Sequence, residues 1–468
     1  MIEQQDHAFG TTERYHALLK EVPSIDEMKR AYIKLQQKIL KLPKPQYYML
    51  DDEGRREYAM AYAYDAMMGD LVSKDTTPNI KDLNNLLKAH PTSIIDGVKL
   101  KRNTNGLKFI NHYVKEYIIG TKVEIGGSGR KTMTDAHQDH SFIYKSVIKM
   151  MKMNIDISRN NIYGFFKIAS IQVPSNFKPL VASALWHKWG IEQLPKNQKE
   201  LNIFCPSEGW TSRLLSSYKI AQNNPHIQVN YYTVDPNPQV KSAYELMVKF
   251  LSEYGGFNKI KNWHTHYYFG GSQDEDAIPS DVKGKIDIAG TSPPYFGTSE
   301  KYGYNVALHG LKPIDENIHV NVDGTDVHLG DLAIVLATTT TEKLKQGENE
   351  YQIVKTNDLK ENYQNTEDLQ YFWEASQSSN IDSYTGWKET FLRPTIENIY
   401  KNLRDGGYMW INIANVKTNQ EMEADTVQIS IDSGFEHHET MEMLISRSPA
   451  LKDKNKLPYE PVFIFKKK

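Results

Sequence analysis

Lys285-Ile286-Asp287-Ile288-Ala289-Gly290-Thr291-Ser292-Pro293-Pro294-Tyr295-Phe296 is the stretch that decides how this chain is read. Its first half is a short β-prone run of the kind that forms a buried strand. The second half then sits at the carboxyl end of that strand, where open α/β sheets hold their ligands. Pro293 and Pro294 fix two φ angles at about −65° and remove two backbone donors. Carbonyl oxygens are left pointing out of a rigid loop, with the Ser292 hydroxyl before them and two aromatic rings after. Acceptors beside a stacking ring suit a planar base held by its exocyclic amine. The same residues also make an ordinary Pro-Pro turn, so the neighbouring segments have to decide.

Working outward, strands and helices alternate. Segments 201–204, 229–234, 286–289 and 408–413 have strand character, and 211–221, 238–254, 390–403 and 426–433 have helical character. This alternation predicts an α/β fold, a doubly wound and mostly parallel sheet. Segments 438–444 and 461–466 have no room for a crossover helix between them and predict an antiparallel C-terminal edge. Between 303 and 382 the rhythm breaks. Two β-prone runs, 318–322 and 332–336, precede a polar tract, and some 80 residues are too many for a simple loop, since structureless loops beyond about 12–15 residues are uncommon. The expected organisation is a helical N-terminal region over 1–160, a first sheet segment over 161–302, a β-containing insert over 303–382 and a second sheet segment over 383–468. Within the first region, 25–42, 57–71 and 103–119 carry apolar residues at helical spacing.

Composition sets broad limits. The chain has 468 residues, 39% of them hydrophobic, and a formal net charge of −2. It therefore has material for a core but no global attraction to nucleic acid, so contacts with a polyanion must come from local patches. Lys99, Lys101, Arg102, Arg130 and Lys131 are the candidates, the last two in the Gly-rich stretch 126–131. That stretch is either a flexible loop or a phosphate-contacting one; it lacks the strand and Gly-Lys-Ser/Thr ending of a P-loop. No apolar run of about 18 residues predicts a membrane span, and residues 1–7 lack the form of a signal peptide. Cys205 is the only cysteine, which excludes an internal disulfide or a cysteine-rich zinc site and fits a reducing, cytoplasmic setting. The pairs His137 and His140, His264 and His266, and His437 and His438 lack a third ligand at suitable spacing, so no metal site is expected.

Three further elements carry chemistry. Phe204-Cys205-Pro206-Ser207-Glu208-Gly209-Trp210-Thr211 joins a strand to a helix through a small-residue turn, which lets a backbone approach a ligand or simply caps the helix. Asp235 ends the next strand, where an acid accepts hydrogen bonds from ribose hydroxyls or caps the following helix. Gly271 to Asp276 brings Asp274 ahead of the opening strand, where it binds an adenine amino group or lies in a surface charge run.

The order of a Phe177-Lys178-Pro179 helix start, a Gly-containing first turn, a strand-end Asp and Thr291-Ser292-Pro293-Pro294-Tyr295-Phe296 resembles the S-adenosylmethionine-dependent DNA amino-methyltransferases. The likeness extends through 387–394, 403–413 and 459–465, and so covers about 170–300 and 383–468. It implies a Rossmann-like methyltransferase fold, S-adenosyl-L-methionine as cofactor, and methylation of a flipped-out base. Ser292, Pro293, Pro294 and Tyr295 would be catalytic. Ser292 and the Pro293 carbonyl would accept from the target amine, and Tyr295 would stack on the base, with Phe296 and Tyr302 as further substrate contacts. Phe177, Pro179, Pro206, Ser207, Glu208, Gly209, Trp210, Asp235 and Asp274 would bind the cofactor. Ser at the head of the loop leans towards cytosine N4 over adenine N6. Double-stranded DNA is the implied partner, in a prokaryotic or phage-infected cell, with a cognate restriction enzyme as a further partner of such a system. The insert 303–382 is the first candidate for target recognition. The first turn departs from the family pattern: a single glycine stands between an acid and an indole. Two alternatives stay open, an RNA or other planar-amide methyltransferase of the same fold and a catalytically inactive nucleic-acid-binding module.

Overall fold

A nine-stranded sheet organises the larger of two compact units. In the computed structural model the described residues are 12–39, 50–69, 77–125, 132–153, 157, 166, 174–254, 260–275, 277–296, 298–301, 319–322, 325–328, 343–346, 349–352, 381, 383–415, 420–445 and 458–468. Seven strands carry the sheet: β1 (Glu200–Cys205), β2 (Gln228–Asp235), β3 (Trp263–Phe269), β4 (Ile286–Thr291), β5 (Leu403–Asn412), β6 (Phe435–Leu444) and β7 (Tyr459–Lys467). They lie in the order β6-β7-β5-β4-β1-β2-β3. From β5 to β3 all neighbours are parallel, while β7 runs antiparallel between β5 and β6. The α/β fold expected from the sequence is therefore present, with one refinement. The final antiparallel pair is not the outer edge, because Lys99–Leu100, from a two-residue hairpin with Ile95–Asp96, adds to β6.

Helices α1 (Pro179–Trp189), α2 (Ser212–Asn223), α3 (Pro238–Glu253), α4 (Arg393–Asn402) and α5 (Met422–Asp432) link or flank these strands. Strands covered on both faces need apolar residues throughout rather than alternation, and every residue of β4 is buried. One polar residue in it has a specific task. The Asp287 carboxylate accepts from the Asn202 backbone amide of β1 at 2.8 Å, from Gln198 at 2.8 Å and from Arg404 Nε of β5 at 2.6 Å. It pins three strands in register. Further along β4, a Cβ on Gly290 would come within 2.0 Å of the Trp410 ring of β5, so only glycine lets that indole lie across the strand. Phe177 stacks on Trp410 at 5.4 Å, and Trp186 of α1 packs at 4.9 Å.

Between β4 and β5 the described strands His319–Val322, Thr325–His328, Lys343–Gln346 and Asn349–Gln352 form a separate antiparallel sheet. The run expected over 318–322 is among them; that over 332–336 lies outside the described residues. The smaller unit comprises Met1–Asp75, Ile118–Val123 and Ser128–Pro174. Its described helices include Ile25–Ile39, Asp52–Met67 and His140–Lys152. Ala59, Ala63 and Ala66 line one face of Asp52–Met67 and share a core with Tyr144, Val147 and Met151. Residues 76–117, which the sequence groups with the N-terminal region, belong to the sheet unit. The described residues contain no helix long and apolar enough to cross a membrane.

Lys219 of α2 is wholly buried and donates to the Leu87 carbonyl at 3.2 Å. Burial pushes its ammonium down from 10.5 to about 8. A depressed lysine costs the folded state most below its folded pKa, and the cost fades as pH rises from there to the unfolded value. Lys219→Met is therefore expected to stabilise the protein by roughly 1–3 kcal/mol below pH 8, less the lost bond to Leu87, and by little above pH 10.5. Denaturant unfolding of both proteins at pH 7 and pH 10.5 checks the sign and the window.

Candidate active site

The carboxyl ends of β1, β2 and β4 converge where the sheet order reverses, with β1 and β4 adjacent. This is the switch point at which open α/β sheets bind ligands. After β1 the chain turns tightly into α2, with Gly209 at φ +64° and Thr211 at φ +61°. Glycine adopts such a backbone freely, whereas a β-branched residue there is strained. Thr211 holds the N-cap position of α2, yet its side chain makes no capping bond. Glu208 caps the helix instead, its Oε1 accepting from the Leu214 amide at 3.0 Å.

The other Glu208 oxygen accepts from the Tyr231 hydroxyl and, at 3.1 Å, from Thr233 Oγ1. Residues 231, 233 and 235 alternate along β2 and so face the same side. The Glu208 carboxylate is 1% exposed, and burial raises its pKa against the opposing pull of Arg213. Arg213 reaches back from the first turn of α2. Its Nε donates to Cys205 Sγ at 3.1 Å and its Nη2 donates to the Ser207 carbonyl. Side chains from α2 and β2 therefore shape the turn from beneath.

Asp235 closes β2 with both oxygens in use, Oδ2 accepting from Gly209 N at 2.9 Å and Oδ1 from Asn237 N at 2.9 Å. Burial pushes its carboxyl up to about 7 against those two hydrogen bonds. Beyond β3, Asp274 is exposed and its Oδ2 accepts from Gly271 N at 2.8 Å.

The loop after β4 meets this turn directly, since Thr291 Oγ1 donates to the Ser207 carbonyl at 3.4 Å. Pro293 is buried, and Ser292, Pro294, Tyr295 and Phe296 are half-buried. The Tyr295 hydroxyl donates to the Asn412 carbonyl of β5 at 3.4 Å. Burial raises its pKa far above the usual range. The phenol is thus a strut between the loop and β5. Phe296 packs edge-on against Tyr384 at 5.4 Å and tilted to Trp387 at 6.3 Å, just beyond the insert.

Several of the residues singled out from sequence meet here: Pro206, Ser207, Gly209 and Asp235 in the turn and at the strand end, and Ser292 to Tyr295 beside them. Phe177 joins them through Trp410 and the Arg213 guanidinium, 5.7 Å from its ring. Others lie in the interior. The Glu208 carboxylate is directed at Leu214 N, Tyr231 and Thr233. Pro179 is buried at the start of α1, where its carbonyl accepts from Ser183 and Ser216. Trp210 is buried at 4% exposure. Tyr302 and the stretch 126–131, with Arg130 and Lys131, lie outside the described residues. Of the remaining basic candidates, Lys101 pairs with Asp96 at 3.2 Å. Arg213, Tyr231 and Thr233 were not singled out from sequence. The signal for the two β2 residues is their period-2 register with Asp235. Three of those histidines pack against rings: His266 stacks on Tyr232, His437 meets Phe465, and His438 meets Trp189. Among the described residues no group of three or more His, Cys, Asp or Glu could hold a metal ion.

No family model and no curated protein sequence matches the chain. Among solved structures it is similar to a putative class I S-adenosylmethionine-dependent methyltransferase from Listeria monocytogenes, at 10% identity, TM-score 0.32, covering 83% of this chain and 87% of that one. It is also similar to the precorrin-6y C5,15-methyltransferase of Geobacter metallireducens GS-15, at 11% identity and TM-score 0.29, covering 63% and 91%. A third is a 16S rRNA (adenine(1408)-N(1))-methyltransferase mutant from Catenulisporales acidiphilia, at 10% identity and TM-score 0.27, covering 62% and 94%. These superpositions are loose, and the α/β fold of this chain is defined by its own strand order.

The left-handed Thr211, with a buried hydroxyl that meets no acceptor among the described residues, is a source of strain that glycine would relieve. Thr211→Gly is expected to stabilise the fold by about 1 kcal/mol. Urea unfolding compares the two proteins, and an unchanged or lower midpoint would contradict the strain.

Proposed function

We propose that the chain is an S-adenosylmethionine-dependent methyltransferase acting on the exocyclic amine of a base in double-stranded DNA. The observation that carries this reading is the contact of Thr291 with the Ser207 carbonyl, which stitches the acceptor loop after β4 to the turn after β1 at the switch point. The residues there fit the cofactor. Gly209 has a left-handed backbone, and the strand-end Asp235 is bonded to its amide. Inward burial of the Glu208 carboxylate keeps its charge out of the ligand's way. Pro206, Ser207 and Gly209 would line the methionine end, Asp235 the ribose and Asp274 the adenine amine, with Phe177 alongside. When bound, the cofactor supplies an electrophilic sulfonium methyl group, chemistry that belongs to the cofactor itself.

The chain's own residues prepare the acceptor. Ser292 offers lone pairs to an incoming N–H, and the Pro293 carbonyl offers another acceptor. Drawing both N–H bonds outward takes the nitrogen lone pair out of conjugation and makes it nucleophilic. The tethered Tyr295 holds its ring at a fixed tilt for stacking on a flipped base, with Phe296 and Tyr302 beside it. Serine at the head of the loop favours cytosine N4 over adenine N6. The insert 303–382 and Lys99, Lys101 and Arg102 are the surfaces proposed to meet DNA, and a cognate restriction enzyme is the proposed companion.

Transfer of a labelled methyl group to double-stranded DNA, RNA and protein tests the reading, with nucleoside mass spectrometry to identify the base. The expected result is label in DNA as N4-methylcytosine. Ser292→Ala is expected to lower kcat by about 10²–10³-fold, the scale of losing one aligned hydrogen-bonding group. Tyr295→Phe is expected to lower it less, through loss of the strut. Label in RNA alone would move the substrate assignment. No label in any acceptor, with wild-type behaviour of both variants in binding assays, would overturn the reading.

A further inference from the structure

We infer that Glu208 and Arg213 are positioning residues that hold the turn after β1 in its ligand-binding shape, doing with two buried charged side chains what a run of glycines does by backbone freedom. This deepens the proposed function and rests on it. The turn has one glycine for two left-handed positions, so sequence flexibility does not account for its shape. Beside one backbone bond, from Glu208 N to the Val234 carbonyl at 3.3 Å, the side chains that hold it are at least nine-tenths buried. Glu208 is 1% exposed, Arg213 3%, Thr233 and Tyr231 0% and Asp235 3%.

Each strut has a defined span. Glu208 ties the turn to the α2 amino terminus through Leu214 N and to β2 through Tyr231 and Thr233. Arg213 ties the Ser207 carbonyl and Cys205 Sγ back to α2. That bond matters because the Ser207 carbonyl also accepts from Thr291 at 3.4 Å, at the root of the Ser292 loop. Asp235 completes the frame through Gly209 N. The guanidinium makes two bonds in different directions, which a lysine ammonium on a single flexible stem cannot reproduce. Each buried group feels the other's charge, and losing one leaves the other less compensated, so the two residues act as a unit.

The carboxylate therefore works from behind the ligand site. Its replacement should alter how well the turn is formed before the cofactor arrives, and so the cofactor's affinity, while the Ser292 loop keeps its chemistry. This separates a positioning role from general structural support, because a loss confined to stability would leave the cofactor's affinity unchanged relative to the methyl acceptor's.

Calorimetric binding of S-adenosylhomocysteine to the full chain provides the test, with Glu208→Gln, Arg213→Lys and the double change Glu208→Gln with Arg213→Met. The double variant removes both buried charges, and Glu208→Gln is close to isosteric, so a folded protein remains for comparison by thermal melting. The expected result is at least tenfold weaker binding in all three, with no rescue by lysine. In turnover, KM for the cofactor should rise at least tenfold while kcat changes less than threefold and KM for the methyl acceptor is unmoved. Wild-type affinity in the folded Glu208→Gln or double variant would overturn the inference. Failure of the wild-type protein to bind S-adenosylhomocysteine would instead overturn the functional reading on which it rests.

Discussion

One buried carboxylate sets the geometry on which the site depends. Asp287 lies in β4, with 1% of its side chain exposed, and bonds to β1, to the residues leading into β1 and to Arg404 of β5. Ionised groups at such depth are tolerated only when their lone pairs are filled, and here three donors fill them. Because parallel strands carry ligand loops at one end, fixing the register of β1, β4 and β5 at the opposite end decides which loop tips meet. Thr291 reaches Ser207, and Tyr295 reaches Asn412, because those strands cannot slide. A one-residue slip would also drive Trp410 out of the space that Gly290 leaves for it.

The aromatic layer over that glycine links the sheet to the segment before α1. Phe177 lies on Trp410, with the Arg213 guanidinium on its other approach. Asn176 accepts from Ser212 at the start of α2 at 2.9 Å. Asn176 and Phe177 thus follow the same turn that Glu208 and Arg213 support from inside. Packing above and hydrogen bonding below restrain one short piece of backbone, which is how a binding loop is held close to its bound shape before a ligand arrives.

Much of this was legible in the sequence. Strands β1, β2, β4 and β7 are apolar runs with abrupt ends, and the Pro-Pro loop follows β4 as its position predicts. Strand β3 was missed because Trp263-His264-Thr265-His266-Tyr267-Tyr268-Phe269 mixes histidines into an aromatic run, and histidine pairs attract a metal reading before a strand reading. The start of β5 at Leu403 rather than 408 is hidden by Asp405-Gly406-Gly407, which looks like a turn. It is a register shift within a continuing strand. The hairpin over 95–100 is too short to leave a periodic signal. Placement of β7 between β5 and β6 is a matter of tertiary pairing, which no local pattern specifies. At the site, the positions of Asp235 and Ser292 could be read from strand ends, but the inward turn of Glu208 could not. A charged residue beside a glycine suggests a solvent-facing group until its acceptors, Tyr231 and Thr233 on the next strand, are known.

Cys205 gives this frame a built-in reporter. It is the only cysteine of the chain, it is buried, and burial pushes its thiol up to about 11. Thiol reagents react with the thiolate, so a protonated and enclosed sulfur is inert while the turn stays shut. Its hydrogen bonds with Arg213 and the Ser207 carbonyl place it at the point where β1 gives way to the turn. The rate at which the sulfur is alkylated therefore counts openings of that one corner of the molecule, with no background from any other thiol and no label added to the chain.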